Sequence, residues 1–147
     1  MSRIAWIVFA VLPVVAGCSS GSPTAPSPPP GPLAGAWIGT LTQPAGSIEV
    51  RLNLTDSAFG AAYLISGRYD ARDAEGTTSG GVGGGLLQGA ATLTLTPDTA
   101  PPCSLAQPFP PGQVLLQLVL DGRRMAGPAV LTLCGGSEPG TAALTKQ

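Results

Sequence analysis

The 147-residue chain contains no histidine, and only 10% of its residues are charged. Histidine is the usual general base near neutral pH, the commonest metal ligand and the usual pH-sensitive side chain, so the sequence lacks the first candidate for each role. The charges are also nearly balanced, with seven Lys and Arg against eight Asp and Glu. A nucleic-acid surface needs clustered basic residues, so no nucleic-acid partner is expected.

Groups that could carry catalysis or hold an ion are scarce as well. Serines are plentiful, but no histidine or well-placed lysine is present to activate one, so the chain is predicted not to be an enzyme. Asp70, Asp73 and Glu75 miss the every-second-residue spacing of a calcium loop and favour a solvated connection. The glycines of 80–85 open no helix and precede no Gly-Lys-Ser/Thr, so they predict no phosphate site. No metal and no free cofactor is expected.

The N-terminal apolar run is too short to cross a membrane as a helix. It extends over 13 residues, Ile4 to Ala16, whereas a spanning helix needs about 20. Arg3 precedes it and small residues follow it, which is typical of a secretory signal peptide. Residues 1–17 are therefore predicted to be a signal peptide. A plain secretory peptide followed by a chance cysteine is the alternative to the interpretation given next.

The stretch Val15-Ala16-Gly17-Cys18 resembles the lipobox of bacterial lipoproteins. The resemblance implies that Cys18 becomes the mature N-terminus and carries covalent acyl chains such as palmitate. It also implies a membrane anchor in the bacterial cell envelope. In Gram-negative lipoproteins a serine after the cysteine is similar to an outer-membrane signal, so Ser19 favours the outer membrane in such a host.

Residues 18–34 are predicted to be a lipid-anchored linker. Six of the 14 residues from Ser19 to Pro32 are proline, and none is charged or large and apolar. Such a segment cannot bury enough surface to offset the entropy cost of ordering it. Proline keeps it extended at about 3.1 Å per residue, so it can reach roughly 40 Å from a bilayer.

Residues 35–147 are predicted to form one all-β domain. Ile48, Val50, Leu52 and Leu54 alternate with polar residues, which indicates a strand with one buried face. Asp56-Ser57 then predicts the start of a turn toward Gly60. About eight strands with short connections and no crossover helices favour an antiparallel up-and-down β-barrel, with a two-sheet sandwich as the alternative.

The motif Gly35-Ala36-Trp37 at the start of the first predicted strand resembles the Gly-x-Trp motif of the calycin group, the lipocalins and their relatives. In that group a basic residue near the end of the last strand packs across the tryptophan. The resemblance implies that Lys146 makes this contact and helps to close the barrel, although the group usually has arginine there. The alternative is that Trp37 is an ordinary core aromatic.

Two cysteines remain once Cys18 is assigned to the lipid. Cys103 and Cys134 lie near predicted strand ends, and the compartment beyond the inner membrane is oxidising, so they are predicted to form a disulfide. Their separation lacks the Cys-x-x-Cys spacing of metal or redox sites.

Two functions are compatible with these features. The first is a non-enzymatic, lipid-anchored envelope β-barrel with a structural or protein-interaction role, partnered by the membrane and another envelope protein. The alternative is a lipocalin-like carrier or binder of a small apolar ligand, with Tyr63 and Tyr69 as lining residues. The abundance of leucine favours a filled interior and the first function, whereas gaps at glycines such as Gly39, Gly67 and Gly127 would favour the second.

Overall fold

The computed structural model describes residues 31–74, 76–99 and 112–147. The predicted signal peptide, Cys18, most of the predicted linker and Cys103 lie outside these ranges. The described residues contain eight β-strands: β1 (Gly35–Gln43), β2 (Gly46–Phe59), β3 (Ala62–Arg72), β4 (Thr77–Leu87), β5 (Ala90–Pro97), β6 (Gln113–Asp121), β7 (Arg124–Leu133) and β8 (Gly136–Lys146).

The strands form a closed antiparallel barrel. Each strand pairs with the next, and β8 pairs with β1. The predicted up-and-down barrel is therefore confirmed and the two-sheet alternative is wrong. As predicted, the chain reverses at Gly60, whose φ is +61°, but the turn does not begin at Asp56, because β2 continues to Phe59.

The two ends of the barrel differ. Residues 31–34 enter at one end, which also carries the β2–β3, β4–β5 and β6–β7 turns; we call it the entry end. The β1–β2, β3–β4 and β7–β8 connections lie at the other end, where the chain also leaves β5 and returns to β6; we call it the loop end. The N-terminal segment and the long connection between β5 and β6 are thus at opposite ends.

Apolar side chains fill the middle of the barrel and its entry end. Apart from Tyr69 with its phenol hydroxyl, the buried side chains within the described ranges are apolar. Leu33 is fully buried, so the predicted linker ends before it and residues 31–34 belong to the barrel. The largest fully buried side chains are Trp37, Leu33, Leu52, Leu93, Leu95, Leu118 and Met125.

Glycines mark the points where neighbouring strands come closest. An added Cβ at Gly39 would lie 1.9 Å from the carbonyl oxygen of Ala143, and one at Gly67 would lie 2.1 Å from that of Asn53. Comparable clashes with a neighbouring carbonyl occur at Gly80, Gly84 and Gly127. These glycines allow neighbouring strands to approach closely and to bend around the barrel.

Candidate functional site

The barrel contains a cavity of about 450 Å³ at its loop end. Strand ends around most of the barrel contribute apolar side chains to its wall, among them Leu41, Ile48, Val50, Leu95, Val114 and Leu131. Polar residues lie mainly on one side, where β3 leads into β4: Asp73, Thr77, Thr78 and Ser79. The interior is therefore filled towards the entry end and hollow at the loop end, which the leucine content did not predict.

Tyr69 is the aromatic side chain of the cavity wall. It is only 5% exposed, and Gly80 on the neighbouring strand accommodates its ring, since a Cβ there would lie 2.5 Å from the ring carbon Cε1. Burial raises the pKa of Tyr69, and the negative charge of Asp98 raises it further. The phenol is therefore neutral at physiological pH and retains its hydroxyl proton as a hydrogen-bond donor.

Tyr63, the other predicted lining residue, lies elsewhere. It faces the interior six positions before Tyr69 on β3, a distance of roughly 20 Å along the strand. There it is partly buried and packs against the core near the entry end. The sequence alternation placed both tyrosines on one face of the strand, but it did not separate the filled part of the interior from the hollow part.

The raised pKa of Tyr69 gives a pH-dependent expectation. In the unfolded chain tyrosine ionises near pH 10, before Tyr69 does so in the folded barrel, so folding stability is expected to decrease as the pH rises above about 10. Denaturant unfolding between pH 8 and 11 should show that the free energy of unfolding decreases less with rising pH in Tyr69→Phe than in the wild type. Tyr63→Phe is the matched control, and an unchanged alkaline decrease in Tyr69→Phe would contradict this assignment.

The entry end is closed by the N-terminal segment and the tryptophan. The indole Nε1–H of Trp37 donates a hydrogen bond to the carbonyl oxygen of Leu33 at 2.8 Å. Trp37 and Lys146 are paired in register, and the Lys146 ammonium lies 5.7 Å from the indole ring centroid, within the range of a cation–π contact. The same ammonium donates to the carbonyl oxygen of Pro32 at 3.0 Å. The structure thus brings together the two residues that the calycin resemblance pairs.

Asp56 completes this closure and was missed by the sequence interpretation. Its carboxylate accepts backbone hydrogen bonds from Gly31 and Leu33, both at 2.8 Å, and from Ala34 at 3.1 Å. The available signal was its place in the alternation of β2, two residues after the buried Leu54. An acid on the inward-facing side of a strand needs hydrogen-bond donors, and the N–H groups of Gly31, Leu33 and Ala34 provide them.

Asp56→Ala is expected to lower the free energy of unfolding by about 2 kcal/mol, because three backbone N–H groups lose a charged acceptor. Urea unfolding followed by circular dichroism measures the loss. Asp56→Asn keeps one acceptor oxygen and should lose less. A loss in Asp56→Ala no larger than that of an exposed control, Asp121→Ala, would contradict the role given to the carboxylate.

The remaining predicted site residues lie near the loop end or outside the described ranges. Cys134 lies in the β7–β8 turn, next to Leu133 of the cavity wall. Its predicted partner Cys103 and the predicted acylation site Cys18 are not within the described residues, so the disulfide and the lipid stay predictions. Asp73 accepts a hydrogen bond from the backbone N–H of Gly76 at 2.8 Å, a turn geometry that suits a solvated connection.

The described part of the chain offers few other candidate sites. Residues 31–74, 76–99 and 112–147 contain no group of three or more Cys, Asp or Glu side chains placed to hold a metal ion. Over the same ranges no helix has the length and apolarity needed to cross a bilayer. No known protein-family model matches the chain, and no curated protein matches it in sequence. The cavity is therefore interpreted from its geometry.

Proposed function

We propose that this protein is a lipid-anchored envelope β-barrel that binds a small apolar ligand at its loop end. The observation that carries the proposal is the cavity of about 450 Å³ with a mainly apolar wall. Small-molecule sites typically enclose 300–1,000 Å³ and combine apolar walls with a few polar groups. A barrel with a purely structural role needs no such space, so the cavity favours the binder over the structural or interaction module.

The distribution of polar groups indicates the chemistry of the ligand. Leu41, Val50 and Leu95 line the deep apolar part, whereas Thr78 and Asp73 lie on the β3–β4 side. A ligand that matches this wall has a fatty or aromatic body and one polar group directed towards β4. Sugars and nucleotides, which are polar over most of their surface, would leave their hydrogen-bonding groups unpaired against the leucines.

The lipid anchor is supported by the lipobox resemblance of Val15-Ala16-Gly17-Cys18. The chain from Cys18 reaches the barrel at Gly31, which lies at the entry end. The cavity lies at the opposite end. An anchored barrel of this design presents its binding site away from the attachment point.

Native mass spectrometry of the mature protein, purified from the envelope of its own host, tests the proposal. We expect a stoichiometric apolar passenger. The neutral fluorescent probe N-phenyl-1-naphthylamine gives a second readout, with Ala71→Phe narrowing the cavity and Ala36→Phe adding the same bulk at an exposed position outside the barrel. Ala71→Phe should weaken probe binding about tenfold and Ala36→Phe should leave it unchanged. If both variants bind the probe equally and no ligand co-purifies with the protein, the ligand site is contradicted. The structural or protein-interaction role would then be the better proposal.

A further inference from the structure

Exposed apolar side chains form a continuous line on the outside of the barrel. Register places Phe59 beside Ala62, Ala62 beside Leu87, Leu87 beside Ala90 and Ala90 beside Val119. We call these five residues the entry-end row. Phe59 is 69% exposed, Leu87 53% and Val119 66%. Three large exposed apolar side chains, linked by two alanines in one row across five strands, are more informative than the same residues scattered singly, because contiguous apolar patches mark interaction surfaces.

The row borders the turns at the end where the N-terminal segment enters. Phe59 ends β2 and Leu87 ends β4, and each immediately precedes a turn at the entry end. Val119 lies two residues before the end of β6. Gly31, the first described residue, is held at the same end by its hydrogen bond to Asp56. The row and the arriving chain therefore share one end of the barrel.

Charge differs between the two ends. The entry-end half carries three basic residues, Arg123, Arg124 and Lys146, against two acids, Asp56 and Asp121. The loop-end half carries five described acidic residues and three arginines. All three arginines lie on β2 or β3. Both ion pairs of the described residues, Arg51–Glu49 and Arg68–Asp98, belong to the loop-end half. Among the described side chains, the entry end therefore combines the exposed apolar row with one more basic than acidic residue, whereas the loop end has an excess of acids.

We propose that the entry-end row docks on the anionic bilayer that carries the anchor; this rests on the lipid anchor of the proposed function. Only 13 residues, 18–30, separate the predicted acyl group from Gly31, a span of at most about 45 Å. A short tether that arrives beside the row holds it at high effective concentration near the lipid surface. Apolar side chains that enter the interface and basic residues that face anionic headgroups both favour this contact. The ligand cavity then faces away from the membrane.

Quenching by brominated lipid tests the docking on the intact mature protein. Phe59→Trp places a reporter in the row, and Val130→Trp places one at a 38% exposed position on the loop-end half of β7. Each is reconstituted in phosphatidylethanolamine–phosphatidylglycerol vesicles with plain or brominated acyl chains, and the emission of the parent Trp37 is subtracted. We expect Phe59→Trp to lose about half of its added emission and to shift to shorter wavelength, and Val130→Trp to be unaffected.

Further readouts separate docking from anchoring. The mass of the purified protein reports acylation of Cys18 independently of fluorescence. Quenching of Phe59→Trp supports docking whether or not Cys18 is acylated. Acylated protein whose Phe59→Trp emission is equal in plain and brominated vesicles would retain the anchor and overturn the docking. Replacing Leu87 with Ser in the Phe59→Trp background should reduce the quenching. Burial of the row in a soluble oligomer, with no quenching in vesicles, would overturn the proposal in favour of self-association.

Discussion

Trp37→Ala is expected to lower the free energy of unfolding by about 3–5 kcal/mol, the range typical of large aromatic side chains cut to alanine in a core. The indole is fully buried at the entry end, and its removal leaves a space that the paired strands cannot collapse to fill. The carbonyl oxygen of Leu33 loses its 2.8 Å donor at the same time. Because Trp37 is the only tryptophan after the predicted cleavage site, urea unfolding should be followed by far-ultraviolet circular dichroism.

Two further variants separate the contributions of the indole. Trp37→Phe keeps an aromatic ring but loses the Nε1–H, so its loss of stability should be smaller than that of Trp37→Ala. Lys146→Ala removes the ammonium over the ring and should cost about 0.5–2 kcal/mol. Wild-type stability in Lys146→Ala would make Trp37 an ordinary core aromatic and contradict the calycin-like closure. Wild-type stability in Trp37→Ala would contradict the importance of the entry end itself.

The architecture could be predicted because it depends on short-range alternation. Ile48, Val50, Leu52 and Leu54 repeat every two residues, and the same period recurs in the strands that follow. Strands with one apolar face and short connections have few ways to bury that face without exposed edges. A closed barrel buries the apolar face of every strand and leaves no strand edge exposed.

The entry-end closure could be predicted only in part, since it depends on contacts distant in sequence. An Asp-Ser pair is typical of turns, so the local sequence predicts the start of a turn at Asp56. In the barrel the donors to its carboxylate come from residues 22 to 25 positions earlier, within the predicted linker. Local composition could not show that Leu33, at the end of that proline-rich segment, is buried inside the barrel.

The cavity was not predictable for a different reason. The sequence identified the inward-facing residues well: Tyr69, Val50 and Leu95 all face the interior as expected. Whether those side chains meet across the barrel depends on strand tilt and on what fills each end. The alternation in the sequence specifies neither of these quantities.

The glycine run of β4 provides a sharp test, because two neighbouring glycines should respond with opposite signs. A Cβ added at Gly84 would lie 2.0 Å from the carbonyl oxygen of Thr92 and 3.0 Å from the Cα of Leu93. Both atoms belong to the backbone of β5, which pairs with β4 and cannot move away freely. Gly84→Ala is therefore expected to cost about 3 kcal/mol by overpacking.

Gly83→Ala is the matched substitution one residue earlier on the same strand. No atom lies within 4 Å of the added Cβ, and Gly83 has no positive φ that alanine would find strained. Alanine restricts the unfolded chain more than glycine does, so Gly83→Ala should raise the free energy of unfolding by about 0.4–1 kcal/mol. Urea unfolding of both variants beside the wild type measures the pair. Equal effects would mean that β4 does not approach β5 closely at Gly84, and the account of the glycines as bending points would be wrong.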